Sequence, residues 1–339
     1  MDKKKRVTSY DVAKAAGVSQ SAVSRVFLKG RSVSKKTKEK VLATAKELGY
    51  KPNAIARMLI TKRSGMVAVI LSSRANLNYP EVLSLLNKRL SDKNERVLLF
   101  NLDDTDGLTD ILEQIWTFQV DGVIALAAHF ENESINQFKE HNIPVVLYNR
   151  SSVGHSASSV CCNHEQGIDQ LVTLLKKNNH EDYLIIAGPS ESDVAQERLS
   201  LAKYILDRNG HRDVPVVYGD YSYESGRQAF STWMQENNAP TAVICSNDVI
   251  AIGVIDEARQ KYGLKVPEDL SVVGFDGVNA ASWHSYRLTT IKQPIEQMTK
   301  AAVDILLEQI ESPDNPAQLR VWSGNLIEGN TVGPARKEQ

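Results

Sequence analysis

The chain has 339 residues, room for two or three compact units, and its 42% hydrophobic and 24% charged residues suit a globular protein with sizeable cores. No apolar run approaches the ~20 residues of a membrane span, and the charged start Met1–Arg6 has no apolar signal core behind it. The three cysteines, Cys161, Cys162 and Cys245, form neither a disulfide framework nor metal-ligand spacing, so the expected compartment is the reducing cytoplasm.

The net charge of −1 conceals an asymmetry. Residues 1–62 carry 16 Lys/Arg against 4 Asp/Glu, a balance of +12, which leaves −13 for the rest. A small segment with that much positive charge suits a polyanion, because each phosphate it neutralises releases condensed counterions. The alternative is a solvated basic tail, and periodicity decides between them. Thr8 or Ser9 can cap a helix through Ala15 that buries Val12 with Ala15 or Ala16. Gly17 supplies the residue able to take positive φ in the turn. Ser19 then caps a second helix with Val23, Val26 and Phe27 inward. Ser34 caps a third over Thr37–Leu48 that buries Val41, Ala45 and Leu48, and Gly49 stops it. Helix, glycine turn, helix and a bracing helix make a helix-turn-helix head over residues 1–50.

In that geometry the second helix enters the major groove. Gln20, Ser21, Ala22 and Arg25 face base edges, Gln suiting adenine and Arg suiting guanine O6 and N7. Ser19, Ser24, Lys29, Arg31, Ser32 and Lys35 are expected to hold phosphates, which positions the head without reading sequence. Residues 51–63 are a hinge, opening on Pro52-Asn53 near a first helical turn and too short to be stable alone.

From residue 64 to 339 short apolar runs alternate with helical patterns. Strands are expected at Val67–Leu71, Arg96–Asn101, Gly122–Leu126, Val145–Asn149, Tyr183–Gly188, Ala242–Ser246 and Ser271–Asp276. Helices are expected near Tyr79–Lys93, Leu108–Phe118, Glu165–Lys177, Glu191–Asn209, Ser222–Asn237 and Asn247–Tyr262. Such alternation implies parallel sheets covered on both faces, and the body holds about two units' worth. The fold class is therefore an all-α head plus an α/β body of two tandem Rossmann-like lobes. The expected N-lobe takes about 64–162 and 292–322, and the C-lobe about 163–291 and 323–339. A cleft between the carboxyl ends of both sheets is where such folds bind ligands.

Val7-Thr8-Ser9-Tyr10-Asp11-Val12-Ala13-Lys14-Ala15-Ala16-Gly17-Val18-Ser19, Ala22-Val23-Ser24-Arg25-Val26, Glu47-Leu48-Gly49-Tyr50 and Pro52-Asn53 resemble the head of the LacI/GalR repressors. Glu197-Arg198, Asn247-Asp248, Val266-Pro267, Ser271–Asp276, Leu288–Ile291 and Gln293-Pro294 extend the resemblance almost to the end. It implies a cytoplasmic repressor of a carbohydrate-utilisation operon, with a body like that of periplasmic sugar-binding proteins. It also implies a hinge that folds on the operator, with Leu59 wedged into the minor groove at a cost of a few kcal/mol that added contacts offset. Ala22 and Leu28 depart from the family's usual Thr and Asn, so the operator sequence is not carried over.

For the effector, the resemblance implies contacts from Asp276, Arg198, Arg150 and the aromatic Tyr221. Asn76, Asn78, Tyr79, Asn247 and Trp283 are expected in the cleft wall. The bland alternative for Arg198 and Asp276 is a structural ion pair across the two halves. Asn149 and Gly277 stand where the family often has Asp, which tilts the expected effector from a neutral sugar towards a sugar acid or sugar phosphate. The resemblance favours release of DNA on effector binding, although the sequence leaves the direction open.

A two-fold, pseudo-palindromic operator demands a homodimer, and the tail lacks the leucine heptads of a coiled-coil tetramer. The N-lobe is expected to supply most dimer contacts. No catalytic residue, cofactor, metal or membrane association is expected. Asp104, Asp106, Gly107 and Glu113 sit at EF-hand spacing, but Leu102 takes the first ligand position and Thr109 the apolar one. A transporter's binding protein would share the body but has no use for the head. A sugar-processing enzyme would need a base or nucleophile in the cleft.

Overall fold

The computed structural model describes residues 7–27, 32–51, 63–72, 77–102, 108–126, 132–150 and 157–336. The chain divides into two compact units, one made mainly of residues 1–65 and the other of the remainder.

The head contains α1 (Ser9–Ala16), α2 (Gln20–Phe27) and α3 (Lys35–Glu47). Thr8 opens α1 with a capping box: its hydroxyl accepts from Asp11 N while the Asp11 carboxylate accepts from Thr8 N at 2.8 Å. Gly17 closes the helix at φ 59°, the left-handed turn that its lack of a Cβ permits. Ser19 accepts from Ala22 N at 3.2 Å to start α2, and Ser34 accepts from Thr37 N to start α3. Val12, Ala13, Ala16, Val23, Val41 and Ala45 form the core, and Phe27 packs edge-on against Tyr50. Of the two alternatives for the inward face of α1, Ala16 is buried and Ala15 exposed, and Ala13 joins the core as well. One inward assignment is corrected: Leu48 is exposed because α3 ends at Glu47 and its last turn leaves the small core.

The body holds two six-stranded sheets. The first contains β1 (Met66–Ser72), β2 (Arg96–Leu102), β3 (Gly122–Ala125), β4 (Val145–Tyr148), β5 (Ser158–Asn163) and β11 (Leu319–Ser323), in the order β11-β5-β4-β3-β1-β2, all parallel. The second contains β6 (Tyr183–Ala187), β7 (Val216–Tyr218), β8 (Ala242–Cys245), β9 (Ser271–Asp276), β10 (Thr289–Lys292) and β12 (Asn325–Ile327). Its order is β12-β10-β9-β8-β6-β7, with β12 antiparallel to β10.

The linking helices are α4 (Tyr79–Asp92), α5 (Leu108–Phe118), α6 (Asn132–Glu140), α7 (His164–Lys177), α8 (Asp193–Arg208), α9 (Tyr223–Glu236), α10 (Asp248–Lys261) and α11 (Ile295–Glu311). Each expected strand and helix has a counterpart. Short β5, β7, β10, β11 and β12, with α6 and α11, were not read from the sequence.

The central strands β3, β4, β6, β8 and β9 are buried along their whole length, as a sheet covered on both faces requires. The chain leaves the first sheet after β5, returns after β10 through α11, which packs on α4, and contributes β11 and then β12. Asn163, at the end of β5, and Ser192, Ser222 and Asn247, which follow strands of the second sheet, each cap the helix that follows. That strand-to-cap spacing brings helix N-termini and strand carboxyl ends to one edge.

Candidate DNA interface and ligand cleft

On the head, Ser19, Ser21 and Arg25 are exposed. Arg25 folds back along α2, its Nε donating to Ser21 O at 3.3 Å. Ala22 and Ser24 are half-buried. Gln20 is half-buried too and differs from the free outward side chain expected, because its Nε2 donates to Ser9 Oγ at 3.3 Å and ties α2 to α1. Ser32 and Lys35 are exposed. Lys29, Arg31, Asn53 and Leu59 lie outside the described residues, as does Asn76 on the body.

The body gathers its charged groups at the carboxyl edge of the second sheet. Arg198, in the second turn of α8, is 5% exposed. Its guanidinium donates from Nη2 to Asp276 Oδ1 at 2.8 Å and from Nη1 to Ser246 O at 2.7 Å, and lies 4.1 Å over the Phe275 ring. Gln293 Nε2 donates to the same Asp276 oxygen at 2.6 Å. Asp276 ends β9 at φ 116°, a conformation costly for a residue with a Cβ. The pair is not a brace across two halves, because both residues belong to the second sheet and its helices.

Behind Asp276, the buried Asp248 accepts from Val278 N at 2.8 Å and from Thr290 Oγ1 at 2.5 Å. Burial, reinforced by the Asp276 charge, pushes its carboxyl well above the ordinary range, and its bonds to Val278 and Thr290 anchor the turn that carries Asp276. His164, at the first position of α7, places Nε2 at 3.5 Å from Arg198 and Nδ1 at 3.3 Å from Glu197 Oε2. Burial, then the nearby Arg198 charge, holds its pKa below the ordinary value.

Tyr221 sits at φ 73° with its ring against Gly188, where an added Cβ would lie 2.5 Å from Tyr221 Cε1. Its hydroxyl is 3.4 Å from Ser192 Oγ, and its carbonyl accepts from Asn247 Nδ2 at 3.4 Å. Asn247 Oδ1 accepts from Ile250 N at 2.8 Å. Asn247, expected in the wall, thus caps α10 and holds Tyr221.

From the first sheet, Tyr79 donates to Leu126 O at 3.3 Å and feels the charge of Asp276. Asn78 is buried one residue before α4. Arg150, just beyond β4, is buried and forms an ion pair with Asp193 in the first turn of α8. Trp283 is 58% exposed, and among the described residues no bond or ring contact joins it to the Arg198–Asp276 group.

Among the described residues, the buried side-chain atoms without a hydrogen-bond partner include Tyr148 Oη, Asn149 Oδ1 and Arg198 Nε. One hydroxyl, one acceptor and one charged donor complement a molecule rich in hydroxyl groups. Tyr148, Ser192, His164, Glu197, Ser246 and Gln293 were not singled out from the sequence as contacts. Tyr148 and Ser246 had one usable signal, their place at a strand's carboxyl end. The thiols of Cys161 and Cys162 are pushed up by burial, to about 12 and about 11, and stay protonated. Among the described residues no cluster of three or more His, Cys, Asp and Glu could hold a metal, and no helix is long and apolar enough to cross a membrane.

A helix-turn-helix head and a two-sheet body with a buried charged pair at its strand ends fit the class of ligand-regulated DNA-binding proteins. Residues 8–53 match "Bacterial regulatory proteins, lacI family", and residues 172–332 match "Periplasmic binding protein-like domain". Catabolite control protein A of Priestia megaterium is 32% identical over 304 residues, 88% of this chain and 91% of its own length. The probable HTH-type transcriptional repressor ExuR of Bacillus subtilis is 30% identical, over 92% of this chain and 94% of its own. The crystal structure of the lac repressor dimer bound to operator and the anti-inducer ONPF superposes with a TM-score of 0.87 at 30% identity, covering 97% of this chain and 100% of that one. The chain belongs to the LacI family of bacterial regulatory proteins.

Proposed function

We propose that this protein is a cytoplasmic, homodimeric transcription repressor without catalytic activity, which binds a pseudo-palindromic operator and is controlled by a small carbohydrate in the body's cleft. Residues 1–50 read DNA, 51–63 form the hinge, and the body divides into an N-lobe (64–162, 292–322) and a C-lobe (163–291, 323–339). Ser21, Ala22 and Arg25 face base edges, with Gln20 set by its bond to Ser9. Ser19, Ser24, Lys29 and Arg31 hold phosphates, and Asn53 and Leu59 act in the hinge. Arg198, Asp276, Arg150 and Tyr221 bind the effector, with Asn76, Asn78, Tyr79 and Trp283 in the wall and Asn247 positioning Tyr221.

The observation that carries the effector reading is the buried Arg198–Asp276 pair, whose Arg198 Nε is a buried donor with no hydrogen-bond partner. Planar charged groups at a strand's carboxyl end grip adjacent hydroxyls bidentately. Two arginines in a cleft that has Asn149 and Gly277 where the family often has Asp favour a sugar acid or sugar phosphate. Coupling between cleft and head of ~1–3 kcal/mol would change operator affinity about 5–150-fold, and release on binding is the direction we favour.

The test uses the full-length protein and its own upstream DNA. Fluorescence anisotropy should show cognate duplex preferred over scrambled duplex, and Gln20→Ala with Arg25→Ala should erase that preference. An unchanged preference would end the DNA-reading assignment. Calorimetry should show an acidic sugar bound; tight binding of a neutral sugar and none of uronates, aldonates or sugar phosphates would end the effector assignment.

A further inference from the structure

The pair between Arg150 and Asp193 is asymmetric. Arg150 extends from the carboxyl end of β4 on the first sheet, and its side chain is 8% exposed. Asp193 lies in the first turn of α8 on the second sheet, and its side chain is 74% exposed. A desolvated guanidinium keeps a strong preference for an anion beside it. A carboxylate mostly in water loses little hydration when it swings away. The buried partner is thus the fixed one and the exposed partner the replaceable one.

We propose that Asp193 is a built-in stand-in for the acidic group of the ligand: it occupies Arg150 from across the cleft and is displaced when a carboxylate or phosphate on the effector takes its place. This rests on the acidic-effector reading above and adds a residue that sets specificity. Because the two partners belong to different sheets, the exchange removes a tie between the lobes. A neutral sugar, with nothing to offer Arg150, leaves the tie in place. The internal carboxylate is therefore both a competitor that weakens acid binding and the contact through which an acidic ligand is told from a neutral one.

The experiment is calorimetric titration of the full-length protein with glucuronate, gluconate, glucose 6-phosphate and glucose. The proteins are the wild type, Asp193→Asn, Asp193→Glu and Glu191→Gln. Asp193→Asn removes the competitor and should bind the acid that wild type binds about three- to tenfold more tightly, the scale of a part-exposed ion pair. Asp193→Glu keeps a competing carboxylate and should stay near wild type. Glu191→Gln removes the same charge two residues away and should leave affinity unchanged, and glucose should respond to none of the changes.

Equal acid affinity in wild type and Asp193→Asn would overturn the proposal while leaving the acidic-effector reading intact. An equal gain in Glu191→Gln would also overturn it, by assigning the effect to general charge. Binding of glucose alone, by wild type and Asp193→Asn alike, would overturn the acidic-effector reading and this proposal with it.

Discussion

Arg198 and Asp276 are 78 positions apart in the chain, yet Nη2 of one stands 2.8 Å from Oδ1 of the other in a site where both are almost wholly buried. Gln293 shares the same carboxylate oxygen, and Phe275 lies under the guanidinium. The arrangement holds a charged donor and a charged acceptor ready at the edge of one sheet.

Arg198→Ala should therefore act twice. It leaves Asp276 buried without its guanidinium, which should cost the body about 3–5 kcal/mol in urea unfolding. It should also weaken effector binding by at least about 30-fold, or 2 kcal/mol. Operator binding without effector should stay within about threefold, provided the titration is run well below the denaturation midpoint. Retained effector affinity would remove Arg198 from the site.

His164 makes acid the destabilising direction. An imidazole whose folded pKa is depressed below its ordinary 6.5 binds protons more readily in the unfolded chain. Its contribution is therefore complete above about pH 6.5 and is lost as pH falls below that value. Denaturation midpoints taken between pH 7.5 and pH 5 should decline, and His164→Gln should make the decline shallower. An identical slope in the variant would show that His164 is not part of it.

Asp248 behaves oppositely. Its raised carboxyl pKa means that stability is greatest below the ordinary 3.8 and is eroded as pH rises towards the folded value. Asp248→Asn keeps an acceptor for Val278 N and offers a donor to Thr290 Oγ1. It should cost less than about 1 kcal/mol at pH 7 and flatten that erosion. Asp248→Ala, which strands the buried Val278 N–H, should cost about 1–3 kcal/mol. Equal losses in the two variants, measured by urea unfolding, would contradict a hydrogen-bonding role for Asp248.

Gly188 is a matter of space. A methyl group there would lie 2.5 Å from Tyr221 Cε1 and 2.6 Å from Cζ, so Gly188→Ala must push the ring off its seat. Overpacking of that kind costs about 1–3 kcal/mol. The loss should appear mainly as weaker effector binding in calorimetry, with effector-free operator affinity unchanged. Unaltered effector binding would place Tyr221 outside the site.

The elements were legible where their cause is local. Thr8, Ser19 and Ser34 cap helices through bonds to backbone three residues on, and Gly17 takes positive φ because it has no Cβ. Long apolar strands such as Ser271–Asp276 declare themselves by composition. The three-residue strands Val216–Tyr218 and Asn325–Ile327 do not, since only a neighbouring strand gives so short a run its ladder. The core face of α1 stayed open between Ala15 and Ala16 for a similar reason: over eight residues, periodicity cannot separate the two or reveal Ala13, and the crossing helices make that choice.

The sequence by itself determined the division into a basic head and an acidic body, the helix-turn-helix, the parallel-sheet architecture and the family. The first three are written in charge, caps and periodicity, which act over a few residues, and the family in the resemblance of short motifs along the chain. Only the tertiary structure decided how the cleft's residues are used. It turned Asn247 into a cap and a brace for Tyr221, tied Gln20 to Ser9, set His164 beside Arg198, and brought Asp193 to Arg150. Apart from the cap, those relations join residues 11 to 43 positions apart, and only the packing of helices and strands against one another brings them within reach.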